Sequence, residues 1–373
     1  MFGRSKKAVD EGRILEALRT VEDPDLHRDI VSLGFVKDLK IDGARVSFKV
    51  ELTTPACPVK EQLKAECHQK VSAIAGVEQV EIEMTAQVRR MNTAATSPVL
   101  EGVKNIIAVA SGKGGVGKST TAANLAMALK LSGARVGLFD ADIHGPSMAM
   151  MFGIEGKPEV TEDKKIVPID AHGIKVISMG FLTGPNTPVI WRGPMVHGAI
   201  QQLVRDSAWG EIDYLVIDLP PGTGDAQLSI SQAISLSGAV IVTTPQDVSL
   251  LDARKGLLMF RQLRVPVLGI VENMSYFLCP HCGERTEIFR HGGGKRTSEE
   301  LGVPFLGEIP IDAAVPVGGD NGKPIVLEKP ESPAARAYTA FSQQVAAQLS
   351  KLAAGGDTKL PHTPIMPGPI EWK

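Results

Sequence analysis

Residues 112–120 read Gly112-Lys113-Gly114-Gly115-Val116-Gly117-Lys118-Ser119-Thr120. This is the spacing of a phosphate-binding loop, G-x-x-x-x-G-K-S/T, with an additional lysine at position 113. Its glycines allow positive φ and let backbone N–H groups turn toward an anion. Lys118 supplies a charge for the β and γ phosphates of a nucleotide, and Ser119 a hydroxyl for Mg²⁺. A helix opening near residue 118 would aim the positive end of its dipole at the same phosphates. Two acidic strand ends have the pattern that completes such a site. Tyr214-Leu215-Val216-Ile217-Asp218, followed by Leu219-Pro220-Pro221-Gly222, reads as a strand whose Asp218 holds Mg²⁺ through water. Val136-Gly137-Leu138-Phe139-Asp140-Ala141-Asp142 ends in an Asp-x-Asp pair. Carboxylates at the C-terminal ends of parallel strands line the ligand edge of their sheet.

A second group, Cys279-Pro280-His281-Cys282-Gly283, sets two thiols on one side of a tight turn. That is half of a tetrahedral sulfur site. The chain has no second Cys-x-x-Cys, since Cys57 and Cys67 lie ten apart. The other two ligands must therefore come from another molecule or from those distant cysteines. A twofold dimer would bring two pairs together as Cys₄. Soft thiolates suit zinc, Cu(I) or an iron-sulfur cluster, and a redox dithiol has the same spacing. His281, inside the turn, reads as a polar loop residue rather than a ligand.

The K-G-G-V-G-K-S loop, the D-x-D segment and the D-x-P-P-G segment resemble the deviant Walker A ATPases, the class of MinD, ParA, the arsenite pump ATPase and the nitrogenase iron protein. The resemblance implies a nucleotide-sandwich homodimer in which Lys113 reaches the partner's phosphates. It makes Asp142 the orienter of the attacking water, Asp140 a more distant Mg²⁺ ligand, and Asn273 in Val271-Glu272-Asn273-Met274 the reader of adenine. With Cys-Pro-x-Cys six residues beyond Asn273, residues 103–350 resemble the Mrp/ApbC group of iron-sulfur carriers, including Ile190-Trp191-Arg192-Gly193-Pro194-Met195 and Gly307-Glu308-Ile309-Pro310. That resemblance implies slow ATP hydrolysis with Mg²⁺, a [4Fe-4S] cluster held by Cys279 and Cys282 between subunits, and delivery to apo iron-sulfur client proteins in exchange with an assembly scaffold. The alternative it leaves is a zinc-stapled regulatory or partitioning ATPase of the MinD/ParA kind.

The elements that must position these residues fall into two units. Apolar Ile106–Ala110 precedes the loop and Asn124–Leu129 continues behind it at helical spacing, so residues 103–353 are expected to form an α/β domain with a mostly parallel, doubly wound P-loop NTPase sheet. Residues 1–90 have the periodicities of a small α+β domain in the order α-β-β-α-β: helix 8–20, strands 35–41 and 44–52, helix 59–73, strand 77–83. Asp23-Pro24-Asp25-Leu26 and Leu52-Thr53-Thr54-Pro55-Ala56-Cys57-Pro58 resemble the PaaD/SufT-like domain of iron-sulfur assembly proteins. Cys57, at a strand-to-helix junction, is expected to have its thiolate favoured by the helix dipole. Cys67, inside the predicted helix, reads as filler. Residues 91–102 read as a coil linker that lets this domain swing, and 354–373 as a flexible tail.

The chain has 373 residues, 43% of them hydrophobic, enough for two cores. A net charge of −2 provides no footprint for nucleic acid or an anionic membrane. No apolar run approaches a membrane span, no signal peptide is expected, and four scattered cysteines make no disulfide scaffold. A reducing, cytoplasmic setting follows. His144 beside Asp142 is not needed as a base, since positioning and charge carry this chemistry. His291-Gly292-Gly293-Gly294-Lys295 reads as a turn before a helix.

Overall fold

The computed structural model describes residues 9–91, 100–143, 145–182 and 193–355. Most of the predicted linker, the end of the predicted tail, His144 and the Ile190–Arg192 part of the motif at 190–195 lie outside these.

The amino-terminal unit follows the expected order. Its sheet has Arg45–Leu52 in the middle, antiparallel to Val36–Asp42 and parallel to Gln79–Ala86. Alternate residues Val46, Phe48, Val50 and Leu52 face inward, the period-2 signature of a half-buried strand. They meet Ile14 and Leu18 of helix Glu11–Leu18 and Leu63, Cys67 and Val71 of helix Lys60–Ser72. Cys67 is thus core. A two-residue antiparallel pairing of Glu22–Asp23 with Arg28–Asp29 has no signal in the sequence; it is too short for any period to register.

The larger unit is built on eight strands: β1 (Val103–Ala110), β2 (Val136–Asp140), β3 (Ile169–Ala171), β4 (Ile174–Ser178), β5 (Ile212–Asp218), β6 (Gly238–Thr243), β7 (Val267–Glu272) and β8 (Phe305–Glu308). Across the sheet they run β8-β7-β6-β1-β5-β2-β4-β3, all parallel except β3, which is antiparallel to β4. Strands buried on both faces read as continuous apolar runs rather than alternating ones, as β1, β5 and β6 do. Ile107 and Val109 of β1 pack under helices Lys118–Leu131 and Pro333–Ala353, while Ile106 and Ala108 pack toward Gly193–Asp206, Asp225–Ala233 and Asp247–Gln262. No described helix is long and apolar enough to cross a membrane.

The two units are docked, which corrects the expectation of a freely swinging domain. Tyr214 Oη donates to Thr54 Oγ1 at 3.0 Å, both groups being buried. Asn105 binds back to the segment that follows the first unit's last strand: its Nδ2 donates to the Arg89 carbonyl at 3.0 Å and its Oδ1 accepts from Met91 N at 3.3 Å. The Arg90 guanidinium donates to the carbonyls of Leu100 and Val103. Ala56 and Val88 are buried within the larger unit's core. Lys351 pairs with Asp25 at 3.1 Å. These contacts meet the starts of β1 and β5 and the last turn of Pro333–Ala353, so the first unit sits at the N-terminal edge of the sheet.

Candidate functional site

At the opposite, C-terminal edge, register alone brings the acids together. Asp218 ends β5 beside Val109 of β1 on one side and Asp140 of β2 on the other. Gly112–Gly117 follows β1 and leads into helix Lys118–Leu131. Gly117 caps that helix at φ +79°, in the left-handed region where other residues are strained. A Cβ there would lie 2.2 Å from Asn273 Nδ2, so the position excludes side chains twice over. At Gly112 a Cβ would meet the Asp252 backbone at 2.2 Å, because helix Asp247–Gln262 passes against the loop.

Lys118 is buried and its Nζ pairs with Asp218 Oδ1 at 2.5 Å, with Ser119 Oγ at 3.3 Å. Burial pushes the Asp218 carboxyl up from the ordinary carboxylate range, and the Lys118 ammonium pulls it back. Its other oxygen, Oδ2, is buried and has no hydrogen-bond partner among the described residues. A buried acceptor left open beside a P-loop serine fits a Mg²⁺ site, held directly or through water, with Ser119 and Asp218 as the donors. Lys113 is half-exposed at the loop's rim and makes no ion pair among the described residues. Thr120 follows Ser119 into the helix and its carbonyl accepts from Asn124.

Asp140 has a different part. It is wholly buried and accepts from Asp142 N, Ser147 N, Met148 N and Ser178 Oγ at 2.9 to 3.2 Å. Four donors leave little of it for a metal; the carboxylate ties down the loop that carries Asp142. Burial and the neighbouring Asp218 push its carboxyl up to about 7. Asp142 is also buried, and its Oδ1 accepts from Gly145 N. Asn273, just past β7, donates from Nδ2 to the Val116 carbonyl at 2.9 Å, so the structure places it on the phosphate loop itself.

The Cys-x-x-Cys turn joins two short antiparallel strands, Phe277–Leu278 and Arg285–Thr286. Cys279 N donates to the Glu284 carbonyl and Gly283 N to the Cys279 carbonyl, closing a knuckle. Backbone N–H groups of Cys282 and His281, then the Cys282 thiol, hold the Cys279 thiol below its ordinary range. Cys282 is exposed, and among the described residues no further His, Cys, Asp or Glu completes a metal set around the pair. His281 is exposed as well. As the sequence suggested, Gly292–Lys295 is a turn opening a helix, Gly293–Leu301.

Cys57 corrects another expectation. The nearest helix begins three residues later at Lys60, and the thiol packs half-buried against the first unit's core. Burial pushes it up to about 11, and the carboxylates of Asp23 and Asp25 add to the shift. It is a protonated thiol at the edge of the sheet remote from Cys279. Sequence reasoning also missed Ser178 and Thr54. Asn105 and Tyr214, polar residues near the starts of largely apolar strands, were the available signal that something docks there.

Residues 102–346 match the ParA family model described as NUBPL iron-transfer P-loop NTPase, and residues 11–84 match one described as iron-sulfur cluster assembly protein. The chain is 52% identical over 339 residues to an iron-sulfur cluster carrier protein of Deinococcus radiodurans, covering 90% of this chain and 95% of that one. Among solved structures it is similar to an Archaeoglobus fulgidus nucleotide-binding protein in complex with ADP, at 42% identity and a TM-score of 0.55, over 62% of this chain and 90% of that one. The cell division ATPase MinD of Pyrococcus furiosus follows at 26% identity and a TM-score of 0.50, over 65% of this chain and 98% of that one.

Proposed function

The chain belongs to the NUBPL-type iron-transfer P-loop NTPases, with an iron-sulfur assembly domain ahead of the NTPase, and from that premise we propose that it is an ATP-hydrolysing homodimeric carrier of a [4Fe-4S] cluster. The observation that carries this reading is the exposed Cys279–Cys282 knuckle, half of a four-thiolate set, on a loop that continues directly from the nucleotide site. Two chains would each donate both cysteines, taking the cluster from an assembly scaffold and releasing it to apo client proteins in the cytoplasm.

In this reading Lys118 and the backbone N–H groups of the 112–119 loop bind the phosphates of ATP. Ser119 and Asp218 would hold Mg²⁺, directly or through water, and a bound ion would supply charge neutralisation for the transferred phosphoryl group. For the bound nucleotide to be engaged, Lys118 exchanges its contact with Asp218 for phosphate oxygens. Asp142 orients the attacking water, and Asp140 with Ser178 fixes the loop that presents it. Lys113, half-exposed at the rim, stabilises the partner's phosphates across the dimer. Asn273 reads adenine once its amide leaves Val116.

Anaerobic reconstitution with iron and sulfide tests the carrier. About four irons and four sulfides per two chains are expected, lost in Cys279→Ala and in Cys282→Ala. One zinc per dimer that resists exchange by iron and sulfide would overturn the cluster and leave a zinc-stapled regulatory ATPase.

A further inference from the structure

Cys279 in the thiol knuckle lies six positions beyond Asn273, which contacts the phosphate loop. At both ends and within that stretch, backbone groups are held by neighbouring elements. Asn273 N donates to the Thr243 carbonyl at the end of β6 at 2.8 Å. Ile309 N donates to the Glu272 carbonyl and Ser275 N to the Ile309 carbonyl, each at 2.9 Å, and Ile311 N donates to the Tyr276 carbonyl at 2.7 Å. The Arg285 guanidinium lies 3.9 Å over the Tyr276 ring and donates to Glu308, tying the knuckle's return strand to the same support.

Between the two sites the chain reverses at Met274, whose φ of +55° is the left-handed region that a non-glycine residue holds only when its surroundings insist. The side chain of Glu272 does the insisting. It is wholly buried, accepts from Ser275 Oγ at 2.6 Å across the reversal, and accepts from Gly294 N at the start of helix Gly293–Leu301. Met274 and Asn273 both meet the position where a Cβ on Gly117 would lie, so the reversal rests on the loop that must wrap phosphates.

We infer that residues 272–278 form a strap that carries nucleotide state to the thiols, with Asn273 as its contact to the phosphate loop and the Glu272–Ser275 pair as the latch that keeps it stiff. This deepens the carrier reading and rests on it. When nucleotide draws the Asn273 amide off Val116, a stiff strap transmits the shift along six residues to Cys279; a loose one absorbs it at Met274. Glu272 and Ser275 are positioning residues, since neither reaches phosphate or sulfur.

The test uses full-length, cluster-loaded protein and measures the rate of iron release to a ferrous chelator, with and without saturating Mg-ATP. The wild type should change rate by about fivefold or more between the two conditions, the range of ordinary site-to-site coupling. Ser275→Ala should bring that ratio close to one while iron per chain and nucleotide affinity stay within about twofold of wild type. Ser275→Thr, which keeps the hydroxyl, should restore the ratio. A wild-type ratio in Ser275→Ala, or a wild type loaded with cluster that ignores nucleotide, overturns the strap and leaves the carrier standing. Failure of the wild type to hold iron and sulfide overturns the carrier and the strap with it.

Discussion

The two edges of the parallel sheet end their polar groups in opposite ways. At the N-terminal edge the chain supplies its own partners: Tyr214 finds Thr54, Asn105 finds Arg89 and Met91, and Arg90 finds the carbonyls of Leu100 and Val103. At the C-terminal edge some groups also meet, Lys118 with Asp218 and Asn273 with Val116, but among the described residues Asp218 Oδ2 is buried with no donor, Cys279 is half-buried and Cys282 is exposed. Cysteine makes the contrast sharp, because the same side chain is drawn toward thiolate by backbone N–H groups at Cys279 and away from it by burial at Cys57. One edge is completed by folding. The other waits for ligands.

The most severe way to break this contrast is at the cysteines. Cys279→Ala should abolish iron binding while Cys57→Ser leaves iron per chain unchanged, both read by metal analysis after reconstitution. In metal-free protein at pH 8, alkylation followed by mass spectrometry should label Cys279 at least about a hundredfold faster than Cys57. A thiol with a pKa near 11 is thiolate in about one molecule in a thousand there, and Cys57 labelling should rise about tenfold per pH unit up to that value. Comparable rates would erase the difference between the edges.

Lys118→Ala should remove tight Mg-ATP binding, a loss of about a hundredfold or more by fluorescent-nucleotide titration. It also strands Asp218 in the interior, which should lower unfolding free energy by about 3 kcal/mol in denaturant titration. Next in size are the docked contacts. Thr54→Val leaves the Tyr214 hydroxyl buried without its acceptor, and stability should fall by about 1–3 kcal/mol with phosphate release unchanged. The half-exposed Asp25–Lys351 pair should matter least, with Asp25→Ala costing under about 1 kcal/mol.

A pH series sharpens the ligand edge separately. Asp140 has a folded pKa near 7, above its unfolded value, so the native state binds the extra proton. Its contribution therefore makes stability fall as pH rises from about 4 to about 7, with the penalty fully present above that. Asp140→Asn should flatten this slope in denaturant titrations across that window. An unchanged slope would place its origin elsewhere.

Much of the C-terminal edge was legible because it is local. The strand, glycine loop and helix run consecutively, and the acids fall at the ends of apolar runs whose period is unmistakable. What stayed hidden is long-range. Thr54 and Tyr214 are 160 residues apart, and nothing in either segment names the other. Cys57 was misjudged for a related reason: its place between a strand and a helix was correctly read, but its chemistry is set by the core it packs on and by Asp23 and Asp25, over thirty positions away. For Asp140 only the family resemblance suggested a part near Mg²⁺, and its environment was not legible because it depends on Ser178 in a neighbouring strand and on a loop that folds back over it.

Ala56 and Val88 share one core with Tyr338, Phe341, Val345 and Leu349 of the helix Pro333–Ala353. On a ribosome that adds about 5–20 residues per second, the first two emerge roughly 15–60 s before that helix has been made. Throughout that interval the nascent chain shows solvent, or a chaperone, a sticky patch that the finished molecule hides. Premature termination before residue 338 would remove all four of these helix side chains and leave the patch uncovered for good.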